Sequence, residues 1–508
     1  MNNCSLINKY LEKLAKVIDK SLDSNNEKIL KKFVENYSFK LENFQKTYAY
    51  FLLGNAYNGI RKINHKKNIN KIWSLEQEEV FKEIYFLRKA IKQEDFYNIG
   101  LELKLGIYVN LANSFSHYGR TINAIKYYDK AIALKFWHKN IVNHPNYFMA
   151  LINKANALEY YSNLDYDDGH KEYFIKFAYR LYKEALILFE KNKNIYYIDL
   201  SIVNKILKRV NFYNKFENIE DIEYFETYEI NFSKNENEYR KFCLSNKLFL
   251  NSMNDLGNYD ISTYDPLNLP NLITKIDEGF PKTITNFNQI KQEFITFRHL
   301  LFEGLHEKTP KYYNKEISIT DDYDYNLYDI NIEKIKIAFR GFYSIFDKIA
   351  NFIYEYFIKV ETQKKIDFRN IWTDKNMKIN DVFNKSHNLA LRGLYLISKD
   401  LFFNNNDEQS KKFIEVLEPE AQTINEIRNH LEHKFISIKL FNSEFLNNED
   451  RKRNFSISRD ELEEKTIHLA QLARESLIYL SFSIHIEEQK KDIDKRTTIN
   501  SQLTRITS

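Results

Sequence analysis

The chain has 508 residues, of which 43% are hydrophobic, so it is long enough for two or three domains with their own cores. It carries 75 basic and 70 acidic residues, a net charge of +5. This balance excludes the overall basicity of a protein that coats nucleic acid, so any nucleic-acid contact must be local. Only 11 glycines and 6 prolines interrupt the chain, and this scarcity of turn residues predicts an all-α protein.

The cysteines and the apolar segments indicate the cellular compartment of the protein. Cys4 and Cys243 lie far apart and form neither a disulfide framework nor a metal-knuckle spacing, which fits a reducing cytosol. The N-terminus has no basic region followed by an apolar run, and no stretch reaches the roughly 18 apolar residues that span a bilayer. We therefore expect a cytoplasmic protein without membrane contact, and we identify no cofactor.

Residues 1–194 show a degenerate helical repeat. Between residues 105 and 136, small and large residues recur as in a tetratricopeptide repeat of about 34 residues, at Leu111, Ala112, Phe115, Gly119, Ala124, Tyr128, Ala131 and Leu134. Segments around Gly54 and Leu87 resemble a second unit with an insert, and Ala178 and Tyr182 belong to a partial third. We predict a solenoid of about three units, whose concave surface suits a protein or peptide trigger.

A connector is predicted for residues 195–284. Helical regularity is lost there, and Pro266, Pro270 and Pro281 lie close together, which is typical of a boundary between domains. The stretch 239–256 is apolar enough to pack against a domain but has no catalytic pattern, so we interpret it as structural.

Helical segments follow within residues 285–490. Apolar spacing predicts helices at about 286–305, 331–360, 381–403, 414–438 and 459–488, separated by polar loops. Together these helices predict a bundle, and residues 491–508 are interpreted as a polar tail.

The helix predicted at 414–438 carries the best candidate for chemistry. Each residue of an α-helix advances about 100°, so one apolar stripe should face the core, formed by Ile424, Ile427, Leu431, Phe435 and Ile438. His433 lies about 160° from that stripe and should point away from its own bundle. In that direction the histidine meets either solvent or a second surface, such as the same helix of another copy.

A resemblance to a known family suggests a function for this helix. Arg428, Asn429 and His433 form an Arg-polar-x-x-x-His motif, although an Arg–His pair at such a spacing is expected about once by chance. The context is more specific, because Asp347-Lys348-Ile349-Ala350 and Leu394-Tyr395 precede the motif. Over residues 239–440 the chain resembles the HEPN superfamily, in particular a bacterial family that joins tetratricopeptide-like repeats to a C-terminal HEPN domain.

The resemblance implies a metal-independent endoribonuclease of the toxin or anti-phage defence type, as in abortive infection. In such enzymes the motifs of two subunits meet across a dimer interface, so it implies a homodimer or higher oligomer. Arg428, Asn429 and His433 are then the catalytic residues. A neutral histidine suits activation of the ribose 2′-hydroxyl, and arginine suits charge on the phosphoryl oxygens. RNA is the implied substrate, because DNA lacks the 2′-hydroxyl.

Further residues are candidates for supporting roles. Those near the catalytic residues are Glu426, His430, Glu432, Asp347 and Lys348, and those for RNA binding are Arg451, Lys452 and Arg453. We expect the two glutamates to orient Arg428 or His430. A buried ion pair between Asp347 and Lys348 is the more common arrangement for such residues, and a solvated loop is the more common role of a short basic run.

Several alternatives stay open. His430 and His433 lie about 60° apart on one helix and could give two ligands to zinc, although we identify no further ligands. They could also be ordinary surface histidines. A non-catalytic adaptor, with repeats that bind a protein and a bundle that only dimerises, is the alternative from another functional class. Nucleotide binding ranks last, because the chain has no glycine-rich phosphate loop.

Overall fold

The described residues are predominantly helical and form only short strands, which confirms the all-α prediction. The computed structural model describes residues 2–36, 45–193, 198–220, 232–275, 281–306, 312, 315–316, 319–320, 325–358, 366–374, 376, 378–401, 421–440, 455–491 and 496–499. No described helix is long and apolar enough to cross a membrane.

The helices and strands are as follows in chain order. The described helices are α1 (Asn2–Asp23), α2 (Glu27–Asn36), α3 (Lys46–Lys67), α4 (Glu78–Ile91), α5 (Leu101–Tyr118), α6 (Thr121–Ala133), α7 (Pro145–Leu164), α8 (Asp168–Lys191), α9 (Leu200–Tyr213), α10 (Lys234–Ser245), α11 (Lys282–His306), α12 (Ile330–Ile353), α13 (Asp381–Lys385), α14 (Leu389–Leu401), α15 (Ala421–His433) and α16 (Arg459–Gln489). The described strands are β1 (Leu272–Lys275), β2 (Ile319–Thr320), β3 (Leu327–Tyr328), β4 (Ser437–Lys439), β5 (Ser456–Ser458) and β6 (Arg496–Ile499).

The chain divides into two compact units. Unit 1 comprises residues 1–223, 383–400 and 404–419, and unit 2 comprises residues 224–382, 401–403 and 420–508. Within the described residues, the chain therefore passes from unit 1 to unit 2, returns to unit 1 at residues 383–400 and ends in unit 2. The domain ranges expected from the sequence, 1–194, 195–284, 285–490 and 491–508, stay predictions.

Three consecutive helix pairs form the centre of unit 1, where α3 packs against α4, α5 against α6, and α7 against α8. Small residues allow these helices to approach closely. A Cβ atom on Gly54 would lie 2.9 Å from a side-chain carbon of Leu87, so the α3–α4 pair requires glycine there unless the leucine moves. The pairs coincide with the segments where repeats were expected, and their identity as tetratricopeptide repeats stays a prediction.

The turn between α5 and α6 depends on Gly119. Its φ of 95° lies in the left-handed region, which glycine adopts without steric cost. A Cβ atom there would also lie 2.0 Å from the carbonyl oxygen of Leu389. Gly119 therefore serves both the turn and the close packing of α14 against it.

Residues 383–400 pack within unit 1 through a buried ion cluster. Nη1 of Arg88 lies 2.8 Å from Oδ1 of Asp400, and Nη2 lies 3.1 Å from Oδ2. Arg120 pairs with the same carboxylate, and all three side chains are buried. Burial alone raises the pKa of Asp400, but the two guanidinium groups outweigh it and hold that pKa below its ordinary value.

The centre of unit 2 is the pair α11 and α12, and α16 packs against both. The rings of Phe294 and Phe342 lie 5.5 Å apart in this core. A Cβ atom on Gly341 would come within 2.3 Å of the Phe297 ring, so glycine lets that ring lie against α12. Aromatic side chains thus fill the space between these helices.

Buried ion pairs join the stretch 239–256 and its continuation to the helices of unit 2. Both terminal nitrogens of Arg298 on α11 lie 2.8 Å from the carboxylate oxygens of Asp265. Arg474 on α16 makes a similar fork with Asp255, at 2.7 and 3.2 Å. β1 also pairs with β6 in antiparallel register, Leu272 opposite Ile499. These contacts agree with a structural role for the stretch.

Two expectations about helix boundaries were wrong. Helices α9 and α10 form within 195–284, where helical regularity was expected to be lost, because Asp199 and Ser233 accept hydrogen bonds from the first turns. The helix expected at 381–403 is divided into α13 and α14, and His387 between them has a positive φ of 50°.

Replacement of Asp400 by Asn tests the ion cluster of unit 1. The substitution leaves Arg88 and Arg120 buried without their shared charge, so we expect the free energy of unfolding to fall by about 3–5 kcal/mol. Urea denaturation followed by circular dichroism measures this loss. The pKa of Asp400 is lower in the folded protein than its value of about 4 in the unfolded chain. Asp400 therefore contributes its full stabilisation above about pH 4, and this stabilisation is lost as the pH falls through the folded pKa.

Asp129→Asn is the matched control. Asp129 pairs with Lys154 and its side chain is 47% exposed, so we expect a loss below about 1 kcal/mol. If Asp400→Asn lowers the free energy of unfolding no more than this control does, the buried cluster does not stabilise the packing of residues 383–400 in unit 1.

Candidate active site

The motif residues lie on α15, a shorter helix than the sequence predicts. Ile424 and Ile427 are fully buried, and α15 packs against α12. The helix ends at His433 and is followed by β4, which pairs in parallel with β5. The expected helix to residue 438 is therefore wrong, and so is the expected burial of Phe435, which is 91% exposed. Residues 414–420 of the expected helix lie outside the described residues.

Arg428 is held by three neighbours. Its Nη2 lies 3.0 Å from Oε2 of Glu432, one turn further along the helix, and Nη1 donates to Oδ1 of Asn429 at 3.1 Å. Its Cζ lies 5.3 Å from the ring centroid of Tyr343 on α12. The guanidinium is thereby fixed while 30% of the side chain stays exposed, so it is both oriented and accessible.

His433 lies on the exposed side of the same carboxylate. Its Nε2 is 3.7 Å from Oε2 of Glu432, and the side chain is 68% exposed, in the direction that helix geometry predicts. One carboxylate oxygen thus lies close to both Arg428 and His433. The structure brings the expected catalytic arginine, asparagine and histidine together on one surface of α15.

His430 has a different environment from His433. Its ring stacks on Phe455, with centroids 4.6 Å apart and planes inclined by 21°. Its Nδ1 lies 2.8 Å from the carbonyl oxygen of Glu426, a contact in which the ring nitrogen donates. In the part of the chain that the structure describes, no group of three or more His, Cys, Asp or Glu residues is placed to hold a metal ion.

Residues 274–487 match the family model described as LA2681-like HEPN. The match supports a HEPN domain in the C-terminal region. The match includes Arg428, Asn429 and His433 but not the N-terminal helix pairs. No curated protein and no solved structure matches the chain.

Asp347 and Lys348 lie on α12 of the HEPN domain, but they do not form the ion pair expected between them. Lys348 pairs with Glu293 on α11, because successive residues on a helix point in different directions. Oδ1 of Asp347 accepts a hydrogen bond from the backbone N–H of Phe368 at 3.3 Å. These contacts support the helix packing behind α15.

Tyr343 is a neighbour of the motif that the sequence did not single out. Its side chain is buried, and burial raises the pKa of its hydroxyl, so the ring offers a neutral face to Arg428. In the sequence it is one of many apolar residues on α12. Its position four residues before Asp347 was the one available signal.

The remaining candidates are the basic run and the Nε group of Arg428. Arg451, Lys452 and Arg453, expected to contact RNA, lie outside the described residues. Nε of Arg428 is buried and has no hydrogen-bond partner within the described ranges. Each terminal nitrogen of that guanidinium makes one of these contacts, with Glu432 or Asn429, and therefore keeps a second N–H.

Chemical modification tests the contrast between the two histidines of α15. We expect diethyl pyrocarbonate to modify His433 several times faster than His430, because His433 is exposed and the ring of His430 is packed on Phe455. Tandem mass spectrometry distinguishes the two positions within one peptide. Phe455→Ala should accelerate modification of His430 and leave His433 unchanged. If diethyl pyrocarbonate modifies His430 and His433 of the unmodified protein at equal rates, the described exposure of His433 and packing of His430 are contradicted.

Proposed function

We propose that the chain is a metal-independent endoribonuclease that cleaves RNA by attack of the ribose 2′-hydroxyl, at a composite site between two HEPN domains. The observation that carries this proposal is the placement of an exposed His433 beside an oriented Arg428, with Glu432 between them. The surface of α15 thus offers a group that can transfer a proton and a cation that can bind a phosphate.

Each residue has a definite role in the proposed reaction. His433 in its neutral form takes the proton of the 2′-hydroxyl as that oxygen attacks the adjacent phosphorus. The bond from phosphorus to the 5′-oxygen breaks, and this oxygen takes a proton from the protonated histidine of the second motif. Arg428 and the amide of Asn429 donate to the phosphoryl oxygens as charge develops. The products are a 2′,3′-cyclic phosphate and a 5′-hydroxyl.

The chemistry favours a site built from two subunits. In-line transfer needs a base on one side of the phosphate and an acid on the other, and each α15 presents a single exposed His433. A twofold axis next to α15 would place two such histidines opposite each other. Phe435 is 91% exposed beside the motif, and it offers apolar area for this contact.

The helix pairs of unit 1 are the proposed sensing part. A groove of about 560 Å³ lies among α7, α8 and α9, and its wall includes Asn153, Asn156, Glu159, Lys205 and Arg209. Its mixture of amide and charged groups suits a protein or peptide trigger. By resemblance, we assign the whole protein to anti-phage defence, where cleavage of RNA acts as a toxin.

Cleavage of RNA in the presence of EDTA tests the activity. We expect the unmodified protein to degrade total RNA, and His433→Ala to be slower by about 100-fold or more because proton transfer is lost. Arg428→Ala should also lose most activity. A substrate with one ribonucleotide in DNA should be cut only there, and the same substrate with a 2′-O-methyl group should survive. His138→Ala, an exposed histidine of unit 1, is the matched control.

The proposal is contradicted if RNA incubated with the unmodified protein is not cleaved, or if His433→Ala cleaves it equally fast. If both catalytic-site variants also retain cellular toxicity and defence, the non-catalytic adaptor is the better explanation, because its function does not depend on Arg428 or His433.

The oligomeric state tests the composite site separately. We expect light scattering to give at least twice the chain mass of 61.2 kDa under the conditions of cleavage. Phe435→Glu should raise the dissociation constant at least about tenfold, because it places a charge in an apolar contact. Phe136→Glu, at an 81% exposed position in unit 1, is the control. A fully active monomer is incompatible with this site.

A further inference from the structure

Arg392 on α14 is buried in unit 1 without an anionic partner. It is 1% exposed, and Nε, Nη1 and Nη2 have no hydrogen-bond partner in the described segments. The three other arginines among the largest fully buried side chains each pair with an aspartate: Arg120 with Asp400, Arg298 with Asp265, and Arg474 with Asp255. A buried guanidinium is costly unless acceptors surround it, so Arg392 needs a separate explanation.

Aromatic rings account for part of its environment. The Cζ atom lies 4.6 Å from the ring centroid of Tyr118 and 5.9 Å from that of Trp73. These rings stabilise the face of a cation. The Tyr118 hydroxyl donates to the carbonyl of Leu75. Burial lowers the pKa of Arg392, and interaction with the hydroxyl groups of Tyr118 and Tyr160 offsets part of this effect. Neither tyrosine supplies a negative charge at neutral pH, so the guanidinium still lacks an anion.

Two buried carboxylates of unit 1 already have other partners. Glu83 accepts from Asn58, Arg61 and Ser114, and Asp400 is shared by Arg88 and Arg120. His117 and His65 lie with rings 5.3 Å apart, and burial, followed by Arg61 and Arg392, lowers the pKa of His117 to about 2. Arg392 is thus a positive charge without a carboxylate bonded to it, in a region where Glu79 acts on His65 and Glu76 acts on Tyr118.

We propose that Arg392 anchors a binding site in unit 1 for an oxyanion, namely the phosphate group of a small ligand. The site lies where α14 meets the end of α5 and the short 3₁₀ turn Ile69–Trp73. A guanidinium fork matches two oxygens of a phosphate. This inference does not depend on ribonuclease activity, and it concerns a different part of the molecule.

Side chains connect this site to the surface. The half-buried ring of Trp73 stacks on the exposed His387, with centroids 4.8 Å apart and planes inclined by 14°. His387 has a positive φ of 50°, a conformation that is unfavourable for a residue with a Cβ atom. Displacement of this pair is the proposed route by which a ligand reaches Arg392. Because Arg392 and Asp400 lie on the same helix, a bound phosphate would strengthen the attachment of α14 to unit 1.

Thermal unfolding and calorimetry of the full-length chain in phosphate-free buffer test the site. Inorganic phosphate, AMP and ATP are the probes, with chloride at equal ionic strength as reference. At about 100 times its dissociation constant, a binding probe should raise the midpoint by about 3 °C or more. Inorganic phosphate as the tightest probe identifies a free-anion site, and a nucleotide that binds at least tenfold tighter identifies a nucleotide site.

Two substitutions and one control link the binding to Arg392. Arg392→Met keeps the length of the side chain and should abolish the shift, while its midpoint without ligand stays equal to or above that of the unmodified protein. Arg392→Lys retains the charge but not the fork, and should bind at least tenfold more weakly. Arg298→Met, which breaks the buried pair with Asp265, should lower the midpoint and leave the phosphate shift intact.

Hydrogen exchange on the unmodified protein locates the site without any variant. Phosphate or nucleotide should protect peptides covering residues 69–75 and 387–401. The proposal is overturned if none of the probes binds at 10 mM, a concentration of about 100 times a moderate dissociation constant of 0.1 mM. It is also overturned if Arg392→Met binds as tightly as the unmodified protein, or if the protected peptides lie elsewhere.

Discussion

A buried guanidinium must be surrounded by acceptors, and this requirement organises both units of the protein. In unit 1, Asp400 neutralises Arg88 and Arg120 together. In unit 2, Asp265 and Asp255 attach the stretch after α10 to α11 and α16. Removing one partner from such a pair lowers the free energy of unfolding strongly, because a buried charge is left alone. Replacing the whole pair by apolar residues changes it much less. The pairs therefore specify which segments lie together, and Arg392 is the informative exception.

The same interaction, partly exposed, forms the candidate active site. Arg428 is oriented by Glu432, Asn429 and the ring of Tyr343, yet part of it reaches solvent. A fully buried arginine would be structural, and a fully exposed one would be poorly oriented. The intermediate position is what a phosphate-binding group requires, because its side-chain entropy is already reduced before substrate arrives.

The family match and the compact units divide the chain differently. The match to the HEPN family spans residues 274–487, and within it residues 383–400 pack in unit 1. The close contact of Leu389 with Gly119 and the ion cluster at Asp400 hold this segment.

The sequence by itself determined the helical class, the motif on α15 and the outward direction of His433. These follow from local rules, because turn residues are scarce and helix geometry sets the angle between one residue and the next. The helix pairs of unit 1 also lie where small and large residues alternate at repeat spacing. Their assignment to tetratricopeptide repeats depends on resemblance and stays a prediction.

Only the tertiary structure decided which distant groups meet. Tyr343 lies under Arg428, Lys348 pairs with Glu293, and Asp400 joins two arginines from early in the chain. The helix expected to residue 438 ends at His433, where pairing of β4 with β5 takes over the backbone hydrogen bonds. Local periodicity contains no information about partners far along the chain, and charge neutralisation in a low-dielectric interior is a property of the assembled fold.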